Sequence, residues 1–359
     1  MEQLRYVIIQ LEEAKRYIET KSVPYLRLAL LLLDNAAEIQ MYRTIEHELV
    51  YNDWYQKMQD TILQTMKEHP SSGDDLPPML QGIVHMKLLS AKDKKRLSKY
   101  FDEKLKYLGH ELPHLHISRQ YETELQIDTT PYLDESVAEV LSHLHHYRNE
   151  AYHRTKVRPE TLLTAALILF EINCDFFLSL SKHVGVTYSS ADDYSWLDER
   201  CISKPFLNND YREKIISVLK ANLPINDETI SRTLADHLAS RLLDLDGSLE
   251  FIKDNVGSDN APDLETALRY SQFYVASKDN KQRADIEGFK KFKAEHTYND
   301  LERIKVDIPL IHKAVSRIET FKVLANLEKK LEKIEPSVFQ LERDIDEYIQ
   351  LQIDIARGK

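Results

Sequence analysis

The chain has 359 residues with 59 acidic and 48 basic side chains, which gives a formal net charge of −11 at pH 7. This acidity argues against a protein that coats nucleic acid through bulk electrostatics, so any RNA site must be a local basic patch. The two cysteines, Cys174 and Cys201, exclude a disulfide framework and a cysteine-based metal site. Only eight glycines and twelve prolines occur, which favours helices, and we predict an all-α protein of two domains.

The amino-terminal segment and the apolar stretches bear on the compartment. The first five residues contain no basic segment followed by an apolar block, which is the pattern of a secretory signal. The longest apolar stretches, 28–33 and 162–170, are shorter than the roughly 18 residues that suggest a membrane span. We therefore expect a soluble, cytoplasmic protein without membrane contact.

Two amphipathic helices are predicted near the amino terminus. Apolar residues from Leu4 to Ile18 recur at three- and four-residue spacing, which predicts a first helix over about 2–20. Pro24 suits the first turn of a second helix, and the leucine-rich stripe over 26–41 predicts that this helix is largely buried. We expect the two helices to form an antiparallel pair.

The helical pattern loosens over 51–128, which we interpret as inserted helices and loops within the amino-terminal domain. The segment 70–78 contains three prolines and a glycine and predicts a loop. Ser90, followed three residues later by Asp93, has the spacing of a helix cap and predicts a helix behind it.

A third and a fourth helix follow. Thr130 and Pro131 predict the start of the third, whose apolar stripe runs from Leu133 to Ala151. Pro159 predicts the start of the fourth, which is apolar on most sides and should lie deep in a bundle.

The composition changes after Gly185, and 189–193 is typical of a linker. We predict an amino-terminal domain over 1–188 and a carboxy-terminal helical domain of unknown role over 189–359. Apolar spacing between 301 and 348 predicts helices that pack in a bundle, with a dimerising coiled coil as the alternative. Pro309 and Pro336 predict separate or kinked helices there.

The most specific motif is Arg148-Asn149-Glu150-Ala151-Tyr152-His153, at the end of the predicted third helix. It resembles the signature of the HEPN family of helical ribonucleases: an arginine, a polar residue directly after it, and a histidine after four to six intervening residues. The context is similar too, because two apolar helices precede the motif helix and a buried helix follows it. The resemblance covers roughly residues 1–185.

The resemblance implies a four-helix bundle that forms a homodimer, so that the motifs of two protomers face one shared cleft. It also implies a metal-independent endoribonuclease without a cofactor, acting as a toxin or an antiviral effector, with a protein partner that inhibits or activates it. In a subset paired with a nucleotidyltransferase antitoxin, a tyrosine stands two residues after the histidine. Thr155 occupies that place here, so regulation through such a tyrosine is not expected.

The residue types of the motif suit RNA cleavage by attack of the 2′-hydroxyl on the neighbouring phosphate, which leaves a cyclic phosphate and a free 5′-hydroxyl. A histidine transfers protons near neutral pH, and an arginine holds the developing phosphorane charge through paired hydrogen bonds. We assign these roles to His153 and Arg148, and we assign orientation of the phosphate or the imidazole to Asn149. No metal is required.

Helix geometry constrains this assignment. Five steps of roughly 100° place Arg148 and His153 about 140° apart on a regular helix. The two groups therefore meet only if the helix frays or bends near Tyr152, or if they converge across a dimer.

A basic edge of Arg154, Lys156 and Arg158 follows the motif and is predicted to contact the RNA backbone. The alternative is a set of solvated charges at a helix carboxy terminus, where cations are favoured anyway. Tyr152 can stack on an RNA base, although packing within the bundle is the commoner role for such a tyrosine.

Three histidines precede the motif. His143 and His146 lie three apart on one side of the helix, and one of them is expected to enter the cleft. His146, which also lies one turn before Glu150, is the predicted RNA contact. The alternative is that His146, like His143 and His145, is a surface residue.

The sequence His110-Glu111-Leu112-Pro113-His114 has the zinc-protease pattern, in which two histidines one turn apart bind the metal. Pro113 disrupts the helix that this pattern requires, so we predict no metalloprotease.

Two functions from different classes follow. The first is the metal-independent endoribonuclease. The second is a non-catalytic helical adaptor, or a nucleotide- or RNA-binding protein, that retains a HEPN-like bundle. The pairing of Asn149 with His153 favours the enzyme.

Overall fold

The fold is that of a computed structural model, which describes residues 2–68, 77–109, 117–120, 124–127, 132–153, 158–183, 210–223, 226–256, 261–279 and 286–357. The all-α class is confirmed, because helices dominate the described residues and their β structure is one two-stranded ribbon. The chain divides into two compact units. Unit 1 comprises Met1–Tyr152 and Ala166–Ile225, and unit 2 comprises His153–Ala165 and Asn226–Lys359. The predicted domain boundary at 188 and the predicted linker over 189–193 lie outside the described residues.

Unit 1 begins with a helical hairpin. Helix α1 is Glu2–Thr20 and helix α2 is Val23–Glu68, with Pro24 in the first turn of α2 as predicted. Lys21 reverses the chain between them in a left-handed conformation, with a φ of 54°. The apolar faces of the two helices pack together, and Ile8 and Leu11 of α1 and Leu26, Leu30 and Leu33 of α2 are buried.

Helix α2 is longer than its sequence pattern indicates. It continues through Tyr51 to Glu68 without a break, so the region interpreted as an insertion begins inside this helix rather than after it. The reason is that its second half has a separate small core, in which Tyr55 packs with Ile83 and Met86. The side-chain amide of Gln59 donates to the carbonyl oxygens of Ile83 (3.1 Å), Val84 (2.8 Å) and Met86 (3.2 Å). These contacts hold α3, Pro78–His85, against α2.

Two short helices follow, α4 (Ala91–Lys99) and α5 (Phe101–Gly109). The predicted cap is confirmed, because the Ser90 hydroxyl accepts a hydrogen bond from the Asp93 amide at 3.2 Å. Glu48 of α2 is buried and accepts hydrogen bonds from the hydroxyls of Tyr132 and Tyr107. Burial, together with the charge of Glu48, raises the pKa of Tyr107 above its ordinary value.

Strands β1 (Ile117–Gln120) and β2 (Glu124–Ile127) pair antiparallel, with Ile117 opposite Ile127. Helix α6 is Glu135–His153, so it begins later than predicted, and Thr130 and Pro131 lie outside the described residues. Its first turn is capped by Asp134, whose carboxylate accepts from the Ser136 amide at 2.9 Å.

The lack of a side chain at Gly109 allows α5 and α6 to approach each other closely. A Cβ atom at this position would lie 2.9 Å from the Cβ of Ala138, which is too close for any larger residue without movement. The amide of Leu133 also donates to the carbonyl of Leu108 at 3.0 Å. The start of α6 is therefore fixed directly to the end of α5. The motif lies at the opposite end of α6.

Helix α7, Pro159–His183, begins at the predicted proline and is deeply buried, with Leu162, Leu169 and Phe176 inaccessible to solvent. Its stretch Pro159–Ser179 has a mean hydropathy of 1.7 and is long and apolar enough to cross a membrane by length and composition alone. Of its most apolar window, 72% is buried within the protein. Helix α8, Asp210–Lys220, is tied to α7 by Lys220, which lies 2.7 Å from Glu171 and 3.2 Å from Asp175.

Unit 2 is a helical bundle. Its helices are α9 (Asp227–Val256), α10 (Leu264–Asp279), α11 (Ile286–Lys291), α12 (Tyr298–Asp307), α13 (Pro309–Lys313), α14 (Arg317–Leu331) and α15 (Glu335–Ala356). The long helix α9 is its centre, and α10, α13, α14 and α15 pack on it, as the bundle prediction requires. Pro309 and Pro336 each lie in the first turn of a separate helix, as predicted.

A buried ionic cluster crosses this bundle. Arg241 of α9 donates to Glu328 at 2.7 Å and to both oxygens of Glu335, at 3.2 and 2.6 Å. His237, one turn earlier, lies 3.3 Å from Glu328. All four side chains are buried, so the cluster joins α9, α14 and α15 without solvent.

Candidate functional site

The motif arginine is anchored in the bundle of unit 1. The Arg148 guanidinium donates through Nη2 to Oδ2 of Asp34, a residue of α2 that is 114 positions away in the chain. Asp34 is buried, whereas Arg148 keeps 20% of its side-chain surface exposed. The ion pair therefore holds the Arg148 guanidinium in place and leaves part of the side chain accessible to solvent.

The second oxygen of Asp34 has its own partner. Oδ1 lies 2.9 Å from Nδ1 of His145, and the same nitrogen lies 3.9 Å from Oε1 of Glu38. The ring of Phe101 stacks on the His145 imidazole with the centroids 3.7 Å apart and the planes 16° from parallel. One buried carboxylate thus joins an arginine and a histidine of α6 that lie one turn apart.

Asp34 was not singled out from the sequence, although a signal was present. It follows the apolar run 28–33 and precedes Ala36 and Ala37, so it is a lone charge within a stripe that should be buried. A buried carboxylate requires a partner, because the cost of desolvating an unpaired charge is large. The sequence could thus indicate that Asp34 has a cationic partner, but not which one.

The other described motif residues lie around this pair. Asn149 is half-buried, and Tyr152 is 58% exposed, so the expectation that Tyr152 packs within the bundle is wrong. His146 is also exposed, with Nε2 3.6 Å from the Asp102 carboxylate. The expectation that its neighbours are surface residues is wrong, since His143 is buried and His145 is nearly so.

Helix α6 is unbroken through His153, its last residue. The helix therefore does not fray at Tyr152, which was one of the ways predicted to bring Arg148 and His153 together within one protomer. The side chain of His153 lies outside the described part of the structure, as do Arg154, Lys156 and Thr155. The zinc-protease-like sequence over 110–114 lies outside it as well.

Arg158, the third member of the predicted basic edge, is already paired. Its Nε lies 2.6 Å from the Asp244 carboxylate, and it donates to the carbonyl of Leu243 at 3.3 Å, both within unit 2. The side chain remains 45% exposed. Asp244 therefore offsets much of the charge that the sequence assigned to an RNA contact.

A pocket of about 520 Å³ opens beside the Asp34 cluster in unit 1. It shares two walls with that cluster, because Glu38 and Phe101 both line the pocket and contact His145. Its other lining side chains include two lysines and two exposed tyrosines: Lys99, Lys104, Tyr6 and Tyr42. The Lys104 ammonium lies 6.0 Å from the centre of the Tyr42 ring. Sequence analysis did not identify this pocket, since its residues come from α1, α2, α4 and α5.

Comparison with known proteins gave no matching family model, no matching curated protein and no matching solved structure.

Proposed function

We propose that the chain is a metal-independent endoribonuclease in which Arg148, Asn149 and His153 carry the reaction. The observation that supports this proposal best is the ion pair between Arg148 and Asp34. A phosphate-binding arginine is most effective when its position is fixed before the substrate arrives, because no reorganisation is then needed. The buried Asp34 supplies such a fixed position, and the exposed part of Arg148 remains for a phosphate oxygen.

The reaction forms one bond and breaks another at the same phosphorus. The 2′-oxygen of the RNA attacks the adjacent phosphate, and the bond to the 5′-oxygen of the next nucleotide breaks. The imidazole of His153 accepts the proton from the 2′-hydroxyl, and the imidazolium so formed returns this proton to the departing 5′-oxygen. Arg148 balances the negative charge of the phosphorane, and Asn149 orients the phosphate or the imidazole. The products are a 2′,3′-cyclic phosphate and a 5′-hydroxyl.

We infer a homodimer with a composite site. Because α6 continues through His153, positions 148 and 153 are separated by about 140° around the axis of a regular helix. A second protomer that supplies His153 to the Arg148 of the first removes this difficulty.

The pocket beside the Asp34 cluster suits single-stranded RNA. Exposed Tyr6 and Tyr42 offer ring faces on which bases stack, and Lys99 and Lys104 offer charges for the backbone. Glu38 also lines the pocket, so the positive charge offered to RNA is confined to the edge that carries Lys99 and Lys104. The exposed ring of Tyr152 is a further stacking surface near the end of α6.

The second candidate function is a non-catalytic helical adaptor, and the same ion pair is consistent with it. In an adaptor, the pair between Arg148 and Asp34 has only a structural role, which is to hold α6 against α2. The two candidates differ in what Arg148→Lys does. Lysine keeps a charge for Asp34 but lacks the planar fork that binds a phosphate, so it separates the structural role from the catalytic one.

The test is incubation with total RNA in the presence of a chelator. We expect the parent protein to cleave RNA to products with cyclic phosphates, and His153→Ala and Arg148→Lys to lose cleavage while keeping the parent's circular dichroism and melting temperature. His312→Ala, an exposed histidine of unit 2, is the control and should retain activity. Absence of cleavage by the parent protein, or cleavage that survives in both variants, would favour the adaptor. Products with free 3′-hydroxyls would indicate a different mechanism.

Mixing the two inactive variants tests the composite site. Half of the dimers formed at random contain one protomer of each variant, and each of these has one site with both native residues. Activity should therefore return to about a quarter of the parent value if Arg148 and His153 come from different protomers. No recovery in a mixture shown to exchange protomers would place both groups in the same protomer.

A further inference from the structure

Three potential metal ligands converge in unit 1 beside the pocket. Asp34 and Glu38 lie one turn apart on α2, and His145 faces both from α6. The Oδ1 atom of Asp34, the Oε1 atom of Glu38 and the Nδ1 atom of His145 all lie within 4.8 Å of one another. We propose that these three side chains bind a divalent transition-metal ion, with Zn²⁺ as the expected occupant. The proposal is independent of the ribonuclease function, whose chemistry uses no metal.

The separations of the ligand atoms fit one ion. Nitrogen and oxygen ligands lie about 2.0 to 2.2 Å from Zn²⁺, so neighbouring ligands in a tetrahedral site are about 3.4 Å apart. The Nδ1 atom of His145 lies 2.9 Å from Asp34 and 3.9 Å from Glu38, on either side of that value. The Glu38 side chain is 46% exposed and is therefore free of close packing that would prevent the small movement needed to complete the site.

The surroundings hold two of the ligands in place. Arg148 donates to Oδ2 of Asp34, so Oδ1 remains directed towards His145. The stacked ring of Phe101 fixes the plane of the imidazole. Ligand carboxylates and imidazoles at metal sites are typically oriented by such outer contacts. Because the metal and Arg148 use different oxygens of Asp34, they do not compete for one atom.

The charges and the access also suit a cation. Asp34 and Glu38 contribute two negative charges, and Arg148 offsets only one of them. Glu38 lines the pocket, which gives an ion a path from solvent. One imidazole and two carboxylates favour a borderline transition-metal ion over Mg²⁺, which prefers oxygen ligands alone. Three protein ligands leave a fourth position of a tetrahedral ion open towards the pocket for water.

The test begins with removal of metal from the full chain by a chelator, and the chain is then titrated with Zn²⁺ near neutral pH. Calorimetry measures the affinity and the number of ions bound, and thermal denaturation measures the change in melting temperature. We expect one high-affinity ion per chain and a higher melting temperature in its presence. Glu38→Gln and His145→Gln should each weaken binding by about tenfold or more. Glu46→Gln, an exposed glutamate two turns further along α2, is the matched control and should bind as the parent does.

Glu38→Gln is the decisive variant, because its half-exposed side chain is not needed for the fold. Equal affinity of the parent and Glu38→Gln for Zn²⁺ would overturn the proposal, since binding would then arise from other histidines. Absence of a high-affinity site in the parent would overturn it too. Neither result depends on RNA cleavage, so failure here leaves the proposed ribonuclease function untouched.

Discussion

Arg148 and Asp34 form an ion pair between α6 and α2, and the carboxylate of that pair is buried while the guanidinium is partly exposed. The pair joins the motif helix to α2, the longest helix among the described residues. It gives Arg148 a structural role in addition to the catalytic role proposed for it. Any experiment on the motif must therefore measure folding and activity together.

The first prediction concerns the stability that this pair provides. Removing one partner of a buried ion pair leaves the other charge without compensation, and Arg148→Met should lower the free energy of unfolding by about 3 kcal/mol. Chemical denaturation, followed by circular dichroism, measures the change. The control is Lys94→Met, which removes an exposed pair with Asp53 and should cost less than about 1 kcal/mol. Equal effects of the two substitutions would contradict a buried role for Asp34.

The second prediction concerns the contact of Gly109 with Ala138. Gly109→Ala adds a methyl group 2.9 Å from a neighbouring Cβ, and it should destabilise unit 1 by about 1 to 3 kcal/mol. Gly82→Ala is the matched control. It lies within α3 with open space around it, so it should stabilise the protein by about 0.5 to 1 kcal/mol. Thermal melts of the two variants should shift in opposite directions, and a shift in the same direction would argue against the close approach of α5 and α6.

The third prediction concerns the lysines of the pocket and rests on the proposed RNA cleavage. Lys99→Ala and Lys104→Ala should raise KM for RNA and leave kcat nearly unchanged, because they remove backbone contacts away from the reacting phosphate. The logarithm of the RNA-binding constant falls linearly with the logarithm of the salt concentration. This slope should become less steep by about 0.7 for each lysine removed. Lys57→Ala, an exposed lysine further along α2, serves as the control. A fall in kcat with an unchanged KM would show that the lysines act on the chemical step instead.

The fourth prediction concerns pH and unit 2. Burial lowers the pKa of His237, against the opposing effect of Glu328, so the folded state favours the neutral imidazole. The unfolded chain then binds the proton more tightly, and the stability from this group is complete above about pH 6.5 and is lost as the pH falls below it. The free energy of unfolding should fall by up to about 1.4 kcal/mol per pH unit for this proton.

Denaturation at several values between about pH 7.5 and about pH 5 measures this slope, and His237→Gln should reduce it. His312→Gln, an exposed histidine of the same unit, should not. Asp300 of the same unit does not disturb this measurement. Hydrogen bonds from Thr297 lower the pKa of Asp300, so its carboxylate changes protonation in a more acidic range than the one measured. An unchanged slope in His237→Gln would contradict the prediction.

The fifth prediction concerns Arg241. Arg241→Met leaves the buried carboxylates of Glu328 and Glu335 without their cation, and it should cost more than about 3 kcal/mol. Adding Glu328→Leu and Glu335→Leu to the same variant should recover most of this loss, because an apolar cluster carries no desolvation penalty. Urea denaturation of the single and triple variants decides between this account and one in which the arginine acts through packing alone. In the latter case the two leucines would bring no recovery.

Local signals in the sequence were enough to predict the helices with clear boundaries. Pro24 and Pro159 mark the starts of α2 and α7, and the hydroxyl of Ser90 caps α4, because each of these effects acts within one turn. The continuation of α2 to Glu68 was not predicted. Its second half buries its apolar side chains against α3 instead of α1, so the stripe changes direction along the helix.

The candidate site was predicted only in part, and the missing part is long-range. Arg148 was chosen from its neighbours in the motif, but its partner Asp34 lies on another helix, and no local pattern connects the two. Arg158 was predicted to contact RNA for the same reason. Its partner Asp244 is distant in the sequence, so the residues around Arg158 do not indicate this ion pair. Spacing predicts which face of a helix a residue occupies, whereas the partner on that face depends on the packing of the whole unit.

The length of α2 has a consequence for how unit 1 opens. Its 46 residues span about 69 Å at 1.5 Å per residue, and three of its side chains each attach a different neighbour. Asp34 attaches α6, Glu48 attaches α5 through Tyr107, and Gln59 attaches α3. Opening of any one neighbour leaves the other attachments in place. We therefore expect α2 to be the last element of unit 1 to open, so its amides near Asp34 should exchange with solvent more slowly than those of α3 or α5.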